Sequence, residues 1–272
     1  MGIGIWALGV FVAACAHPRL SLPTDLGAPL PDFAAIHAQV SAACSGVRTL
    51  TAELSLSGRA GNQKLRGRVV AGFARPSSMR LEGVAPFGPP AFILAARGNT
   101  AVLFLPRDSR VLRSARAEDI LGALTGVTLS PADLQAILTG CVTPMPQATE
   151  GRVHGNGWAS IDLTGGATLY LQPVRPPRSV PASPKPGEGG WQLRAARRQG
   201  WQIEYPAWAG GFPRSVRLQS EDSAVMVDLT ASLSQIETNV DLDDNAFTVN
   251  VPDDAQPITL EELRLNGPLG ER

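Results

Sequence analysis

The chain has 272 residues, of which 44% are hydrophobic, 6% aromatic and 18% charged, and its formal net charge at pH 7 is zero. This length is long for one domain but ordinary for a β-barrel, and the apolar content suffices for a substantial core. The charge balance does not favour nucleic acid as a partner, because phosphate recognition depends on clustered Lys and Arg.

The N-terminal segment has the features of an exported lipoprotein. Residues 3–14 contain no charged residue, and the apolar run from Ile5 is too short for a bilayer, which takes about 20 residues. Small residues follow, as in a signal peptide, and Val12-Ala13-Ala14-Cys15 resembles a lipobox, the pattern cut by lipoprotein signal peptidase. We predict a lipoprotein signal peptide over residues 1–14 and a diacylglyceryl group on Cys15. The alternative is a buried N-terminal strand or helix with an incidental cysteine.

Proline-rich sequence follows the cysteine. Residues 15–31 contain four prolines and few large apolar residues, a pattern typical of an extended tether without packed structure. Asp32 is a candidate N-cap for a helix over residues 33–43. We therefore predict a lipidated cysteine with a flexible tether over 15–31 and a folded domain over 32–272.

After Gly46 the hydrophobic period changes to two, which indicates antiparallel strands. The two runs near residues 93 and 103 are apolar on both faces, which indicates a second layer packed against that part of the sheet. Strands are predicted over residues 50–57, 65–74, 78–83, 92–95, 101–105, 110–113, 158–163, 167–171, 192–197, 201–205, 215–219 and 224–233, with a last short strand over 247–251.

Helices interrupt this pattern. Residues 117–124 are predicted to be helical, and Ser130 predicts the start of a further helix with Asp133 in the position of a capping box. Thr259 is a candidate cap for a final helical turn. Residues 173–190 contain six prolines and three glycines, which predicts an exposed, mobile insertion. The fold class is thus mainly β (α+β): a single curved antiparallel half-barrel of about eleven strands with helices plugging the open side.

The sequence offers little support for catalysis. His17, His37 and His154 lack metal-ligand spacing, and the sequence has neither a Gly-x-Ser-x-Gly elbow nor a phosphate-binding glycine loop. The acidic pairs at 243–244 and 253–254 fall in turn-like sequence, which favours solvated loops. We expect no enzyme activity, no metal site and no cofactor.

Two cysteines remain if Cys15 is acylated. Thiols of exported proteins sit in an oxidising compartment and usually pair, so a disulfide between Cys44 and Cys141 is a reasonable hypothesis. The alternative is two separate buried thiols, since unpaired Cys is often a small core residue.

Residues 85–90 place one aromatic side chain between turn-forming residues, in a loop that includes Pro86, Phe87 and Gly88. Prolines and glycine make such a connection stiff and protruding. Phe87 is either folded back on the sheet or exposed for contact. In a bilayer, burial of such a ring contributes about 1.5–3 kcal/mol.

Six segments resemble, in order and spacing, the LolB/LolA superfamily of lipoprotein-handling proteins, closest to its outer-membrane receptor branch. They are residues 75–81, 85–88, 121–126, 134–140, 201–205 and 213–218. The resemblance implies an apolar cavity for acyl chains, an outer-membrane anchor facing the periplasm and a periplasmic LolA-like carrier as a partner. It also implies that the loop Pro86-Phe87-Gly88 inserts into the membrane, with Phe87 where the family has leucine.

Two functions are consistent with these features. One is a lipid-anchored receptor that accepts acylated lipoproteins and helps insert them into the outer membrane, which Ala16 favours because it is not an Asp-type retention signal. The other is an envelope lipoprotein that binds another amphiphile or a protein partner on the same scaffold. Strand alternation selects as cavity-lining candidates Phe73, Met79, Leu81, Phe92, Leu94, Leu103, Leu105 and Trp201.

Overall fold

A computed structural model of the protein describes residues 19–265, except 62, 145, 175–189 and 223–225. The described strands are β1 (Ala28–Pro29), β2 (Thr49–Ala60), β3 (Gln63–Ala74), β4 (Ser78–Val84), β5 (Ile93–Arg97), β6 (Thr100–Leu105), β7 (Arg110–Ala115), β8 (Ala148–Val153), β9 (Ala159–Leu163), β10 (Ala167–Pro173), β11 (Trp191–Arg198), β12 (Trp201–Ala209), β13 (Phe212–Ser220), β14 (Val227–Thr238) and β15 (Gln256–Pro257). The described helices are α1 (Phe33–Ser45), α2 (Ala117–Thr125), α3 (Pro131–Thr139) and α4 (Leu260–Leu265).

All fifteen described strands belong to one sheet, in the order β1-β8-β9-β10-β11-β12-β13-β14-β2-β3-β4-β5-β6-β7-β15. From β2 to β7 and from β8 to β14, consecutive strands pair antiparallel, and β14 closes the central part by pairing with β2 from Val227–Ala60 to Thr238–Leu50. The short contact between β15 and β7 is parallel. The prediction of a mainly β fold with one large antiparallel sheet is confirmed.

The predicted number of about eleven strands is wrong, because fifteen are present in the described residues. The strands β1 and β15 form the two edges of the sheet, and β8 is covered on its outer side only by the two residues of β1. The residues of these three strands show no alternation of buried and exposed side chains. Edge strands bury little apolar surface, so hydrophobic periodicity cannot detect them. The predicted strand over 247–251 is also wrong, since Asp244–Phe247 forms a 3-10 turn instead that contacts β4 and β5.

The predicted helices are confirmed. Ser130 caps α3: its hydroxyl accepts a hydrogen bond from the Asp133 amide at 3.2 Å, and the Asp133 carboxylate accepts one from the Ser130 amide at 3.3 Å. This reciprocal pair is the capping box that the sequence predicted. In both α2 and α3 the C-terminal glycine, Gly126 or Gly140, has a left-handed backbone, which glycine adopts without steric penalty.

The core lies between the inner face of the sheet and the helices. Inward side chains of β2 to β6 and β9 to β12 form one cluster with the buried faces of α2 and α3, and partly buried residues of α1 pack against it. Helix α2 contributes Ile120, Leu121 and Leu124 to this cluster, and α3 contributes Ile137 and Leu138. The helices therefore cover the open side of the sheet, as predicted.

Residues 19–31 depart from the predicted unpacked tether. This segment, the N-terminal strap, crosses the outer face of the sheet. Leu20 and Leu22 pack against Trp158, Tyr170 and Ala195, and Ala28–Pro29 pairs with β8. The strap is held by these two leucines and by its backbone hydrogen bonds. The high proline content of the segment had favoured an unpacked tether instead. The signal peptide, Cys15 and most of the proline-rich insertion lie outside the described residues.

Candidate functional site

The loop between β4 and β5 carries the most exposed large apolar side chain in the described chain. Pro86, Phe87 and Gly88 are all exposed, and Phe87 is 88% exposed. The Nη2 group of Arg107 donates a hydrogen bond to the Phe87 carbonyl oxygen at 2.6 Å, which ties the loop to the neighbouring β6–β7 turn. Of the two orientations considered for Phe87, the side chain adopts the exposed one.

The strand pairing shows which end of the sheet carries this loop. Val84, the last residue of β4, pairs with Arg68 of β3, and the start of β3 continues past it to the β2–β3 turn. Val227, the first residue of β14, pairs with Ala60 beside the same turn. The Phe87 loop, the β2–β3 turn and the start of β14 therefore lie at one end of the sheet, called here the Phe87 end.

The predicted cavity-lining residues all occur on the inner face. Seven of the eight are no more than 8% exposed, and Trp201 is partly buried. They belong to the same cluster as the buried residues of α2 and α3, so their side chains contact other protein side chains. The assignment of these residues to an acyl-chain cavity remains a prediction. The buried seven are Phe73, Met79, Leu81, Phe92, Leu94, Leu103 and Leu105.

Two hollows adjoin this core at opposite ends. A mainly apolar one of about 260 Å³ lies by the β3–β4 turn, between Arg75, Pro76 and α3; it is smaller than most small-molecule sites, which have about 300–1,000 Å³. A more open hollow of about 400 Å³ lies at the Phe87 end, where the C-terminal half of α2 meets Ala60, Gly61 and Met226. Met226 is 62% exposed there.

The two cysteines of the hypothesis form a disulfide. Cys44 and Cys141 have Cα atoms 5.6 Å apart and are separated by 97 positions in the sequence. Both are buried with Ala136 in a small cluster of their own. The bond joins the last turn of α1 to the second residue after α3, far from the Phe87 end.

Further polar contacts fix α3 to the sheet. The hydroxyl of Tyr205, a fully buried residue of β12, donates to the Ile137 carbonyl oxygen at 3.2 Å, and burial raises the pKa of this phenol. Arg198 forms an ion pair with Asp133 at 2.6 Å, and both side chains are largely buried. Because an unpaired buried polar group is costly, these bonds favour one fixed position of α3.

Sequence reasoning missed a polar network beneath the strap. Glu204 is only 2% exposed, and its Oε1 atom accepts hydrogen bonds from the Leu20 amide and from Gln202, both at 2.8 Å. Arg19 donates to Gln219 at 2.8 Å one strand away. Polar residues that alternate with apolar ones, as on β12, are typical of a strand with one solvated face, and only the folded chain reveals that the strap covers this face.

Sequence reasoning also missed a chain of polar contacts that links Asp25, His154 and Ser160 in the order of a catalytic triad. His154 Nδ1 lies 3.2 Å from Asp25 Oδ1, and its Nε2 lies 2.9 Å from the Ser160 hydroxyl. His154 and Ser160 are 6% and 8% exposed, and Gly27 of the strap packs so closely that an added Cβ would meet the imidazole at 3.0 Å. A substrate carbonyl has no access to this hydroxyl, so the arrangement serves to dock the strap.

Within the described part of the chain, no group of three or more His, Cys, Asp or Glu side chains is arranged to hold a metal ion. No helix among those residues has the length and apolar character needed to cross a membrane.

Comparisons with known proteins return structures rather than sequences. No protein-family model and no curated protein matches the chain. It is similar to a LolA superfamily protein from Nitrosomonas europaea, with 11% identity over 78% of this chain and 97% of that one and a TM-score of 0.49. It is also similar to a DUF1329 family protein from Desulfovibrio piger, with 13% identity over 81% and 97% of the two chains and a TM-score of 0.46.

A third similar structure is described as an outer membrane lipoprotein-sorting protein domain from Vibrio parahaemolyticus. Its identity is 9%, over 78% of this chain and 94% of that one, and the TM-score is 0.44. At these identities and TM-scores, none of the three proteins lends its activity to this chain, and the LolB branch is not singled out.

Proposed function

We propose that the protein is a lipid-anchored receptor of the outer membrane that accepts acylated lipoproteins from a periplasmic LolA-like carrier and helps insert them into the membrane. The observation that carries this proposal is the 88% exposed Phe87 on a stiff loop, at the end of the sheet where a hollow adjoins the apolar core. A soluble protein gains nothing from so exposed an aromatic ring, whereas a bilayer stabilises it by about 1.5–3 kcal/mol.

Transfer in this proposal is a matter of binding alone. The C-terminal end of α2 moves away from Ala60 and Val227, acyl chains enter between α2 and the sheet, and the inward residues of β3 to β6 contact them. Phe87 then brings the cargo to the leaflet in which the lipid on Cys15 is embedded. The signal peptide over residues 1–14 and the outer-membrane location belong to the same proposal.

A transfer assay tests the role of Phe87. Purified protein loaded with an acylated lipoprotein is mixed with liposomes, and cargo is followed from protein to vesicle. Phe87→Glu should slow transfer about tenfold to a hundredfold, the factor that corresponds to losing about 1.5–3 kcal/mol of ring burial, while cargo binding is unchanged. Phe87→Leu is the matched control and should transfer at the normal rate. Equal transfer by Phe87→Glu would remove this residue from the mechanism.

A reversible cross-link tests the movement of α2. An ideal Cβ on Gly126 would lie 3.4 Å from the Cβ of Ala60, close to the roughly 3.8 Å separation found in disulfides. The double substitution Ala60→Cys/Gly126→Cys should therefore join α2 to the sheet, although it costs about 1–2 kcal/mol of stability because the backbone at Gly126 is left-handed. The oxidised variant should bind a fluorescent palmitate analogue much more weakly than the unsubstituted protein, and reduction should restore binding. The unsubstituted protein with and without reductant controls for the native disulfide.

A second function is favoured by the close packing of the interior. The inward residues contact side chains of α2 and α3, and a filled interior suits a scaffold that binds another amphiphile or a protein partner on its surface. Depletion of the protein in cells separates the two. Accumulation of lipoproteins short of the outer membrane supports the receptor, whereas normal sorting refutes it and leaves the scaffold.

A further inference from the structure

The outer face of the β2–β3 hairpin carries a row of cations next to the Phe87 loop. Arg59, Lys64, Arg66 and Arg68 are all exposed, and they alternate with inward residues, so that they lie on one face. Arg59 pairs directly with Lys64 across the two strands. These four residues are called here the basic row.

None of the four cations forms an ion pair with a described residue. The arginines that do form such pairs lie elsewhere in the sequence. Like charges placed directly opposite each other destabilise a strand pair, so the Arg59–Lys64 contact weakens the hairpin. Asp228, the cross-strand neighbour of Arg59, is bound by Arg217 at 2.7 Å. Arg59 also lines a hollow with Glu221, Asp222 and Asp228, so the charge without an acidic partner in the described residues is concentrated at Lys64, Arg66 and Arg68.

Exposed apolar side chains adjoin the basic row. Val84, which is 38% exposed, pairs with Arg68, and the chain continues from Val84 directly into the loop that presents Phe87. Exposed cations beside an exposed aromatic ring match the two layers of a membrane surface, with anionic headgroups outside and acyl chains beneath. A soluble acidic partner would account for the cations but not for the isolated Phe87.

The strap begins beside the basic row. Arg19 bonds to Gln219, which pairs with Asp228, the neighbour of Arg59, and Arg19 and Arg59 line one hollow. Four strand spacings, about 19 Å, separate Gln219 from Val84, so the start of the strap, the basic row and the Phe87 loop lie at the same end of the sheet.

We infer that the basic row is a docking surface for anionic phospholipid headgroups, which holds the anchored domain with its Phe87 end against the leaflet. The inference deepens the proposed function by assigning the lipid surface on which the receptor rests. It depends on Arg59, Lys64, Arg66 and Arg68, residues that the transfer step does not use.

The test needs neither the anchor nor cargo. The full chain with Cys15→Ala is mixed with phosphatidylcholine vesicles made with or without phosphatidylglycerol, and the bound fraction is measured at low and high salt. Binding should require the anionic lipid and weaken with salt, because screening removes surface attraction. Lys64→Gln/Arg66→Gln should lower the affinity roughly 25-fold, since each cation near such a surface contributes about fivefold.

Arg48→Gln/Arg214→Gln is the matched control, because it removes the same charge at the opposite end of the sheet, and it should bind like the parent. The N-terminal residues are common to all samples and cancel in the comparison. Equal binding by the Lys64/Arg66 variant, or binding indifferent to phosphatidylglycerol and salt, would overturn the inference and point to an acidic protein partner. A defect of Phe87→Glu in cargo transfer is measured separately, so the docking surface and the receptor function can fail independently.

Discussion

Removing the Cys44–Cys141 disulfide should lower the free energy of unfolding substantially. The bond closes a loop of 97 residues, and the chain-entropy relation gives about 4.7 kcal/mol at 25 °C for a loop of this length, with about 2–4 kcal/mol as the usual measured range. The gain is large because the bridged residues are distant in sequence. The disulfide should stabilise the folded protein mainly by lowering the conformational entropy of the unfolded chain.

Urea unfolding of the protein with Cys44→Ala/Cys141→Ala measures the effect. With an m-value of about 3 kcal/mol per M, a loss of about 2–4.7 kcal/mol lowers the midpoint by roughly 0.7–1.6 M. The double substitution also deletes the sulfur atoms of two residues that are 1% and 2% exposed. Reduced wild-type protein keeps those atoms, so the difference between the midpoints of the oxidised and reduced protein isolates the contribution of the cross-link. This difference should account for most of the shift seen in the double variant.

A thiol titration of denatured, unreduced protein checks the premise directly. The bridged protein should show no reactive thiol from Cys44 or Cys141. Two reactive thiols, or identical urea midpoints for oxidised and reduced wild type, would refute the reasoning and support two separate buried cysteines.

Two further predictions concern packing and pH. Gly83→Ala should destabilise the protein by about 1–3 kcal/mol, because the added Cβ would meet the Phe92 ring at 2.5 Å, whereas Gly72→Ala, with no atom within 4 Å of its Cβ, should be nearly neutral; equal thermal midpoints would contradict this. Hydrogen bonds from the Thr259 amide and then from Arg110 lower the pKa of Glu262 from 4.5 to about 2. The contribution of the Glu262 carboxylate to stability is therefore present above pH 4.5 and is lost as the pH falls towards 2. An NMR titration should find this midpoint, and Arg110→Gln should raise it; a midpoint near 4.5 in the parent protein would exclude the hydrogen bonds.

The central sheet and the helices could be predicted because their signals are local. Alternation along β2 to β4 reflects one buried and one solvated face, and the Ser130–Asp133 box caps α3 with two residues three positions apart. The Phe87 loop could be located for the same reason, since proline and glycine mark it in the sequence. The exposure of the Phe87 ring could not be predicted. Whether the ring packs on the sheet or protrudes depends on neighbours from other turns, such as Arg107, which binds the backbone of the loop.

The outer-face features depend on contacts between residues far apart in sequence. Glu204 looks solvated in its strand, yet Leu20, 184 positions earlier, covers it. Asp25 and His154 are 129 positions apart. The basic row depends on strand register, because only the pairing of Arg59 with Lys64 brings those charges together. No periodicity encodes such juxtapositions.

The unequal attachment of the two buried helices explains why the interior would open at the Phe87 end. Helix α3 is held by the disulfide after its C-terminus, by the Tyr205 hydroxyl and by the Arg198–Asp133 ion pair. In the described residues the side-chain hydrogen bonds of α2 stay within its own turns and cap, and α2 meets the sheet through apolar contacts.

Apolar contacts are non-directional, so an acyl chain can replace those between α2 and the sheet, whereas displacing α3 would leave buried polar groups unpaired. Opening therefore favours α2, whose C-terminal end borders the hollow beside Ala60 and Met226. That is also the end at which Phe87 and the basic row are exposed. In the receptor that we propose, lipid uptake and membrane contact would thus take place at the same end of the molecule, and cargo released there would have only a short distance to travel to the leaflet.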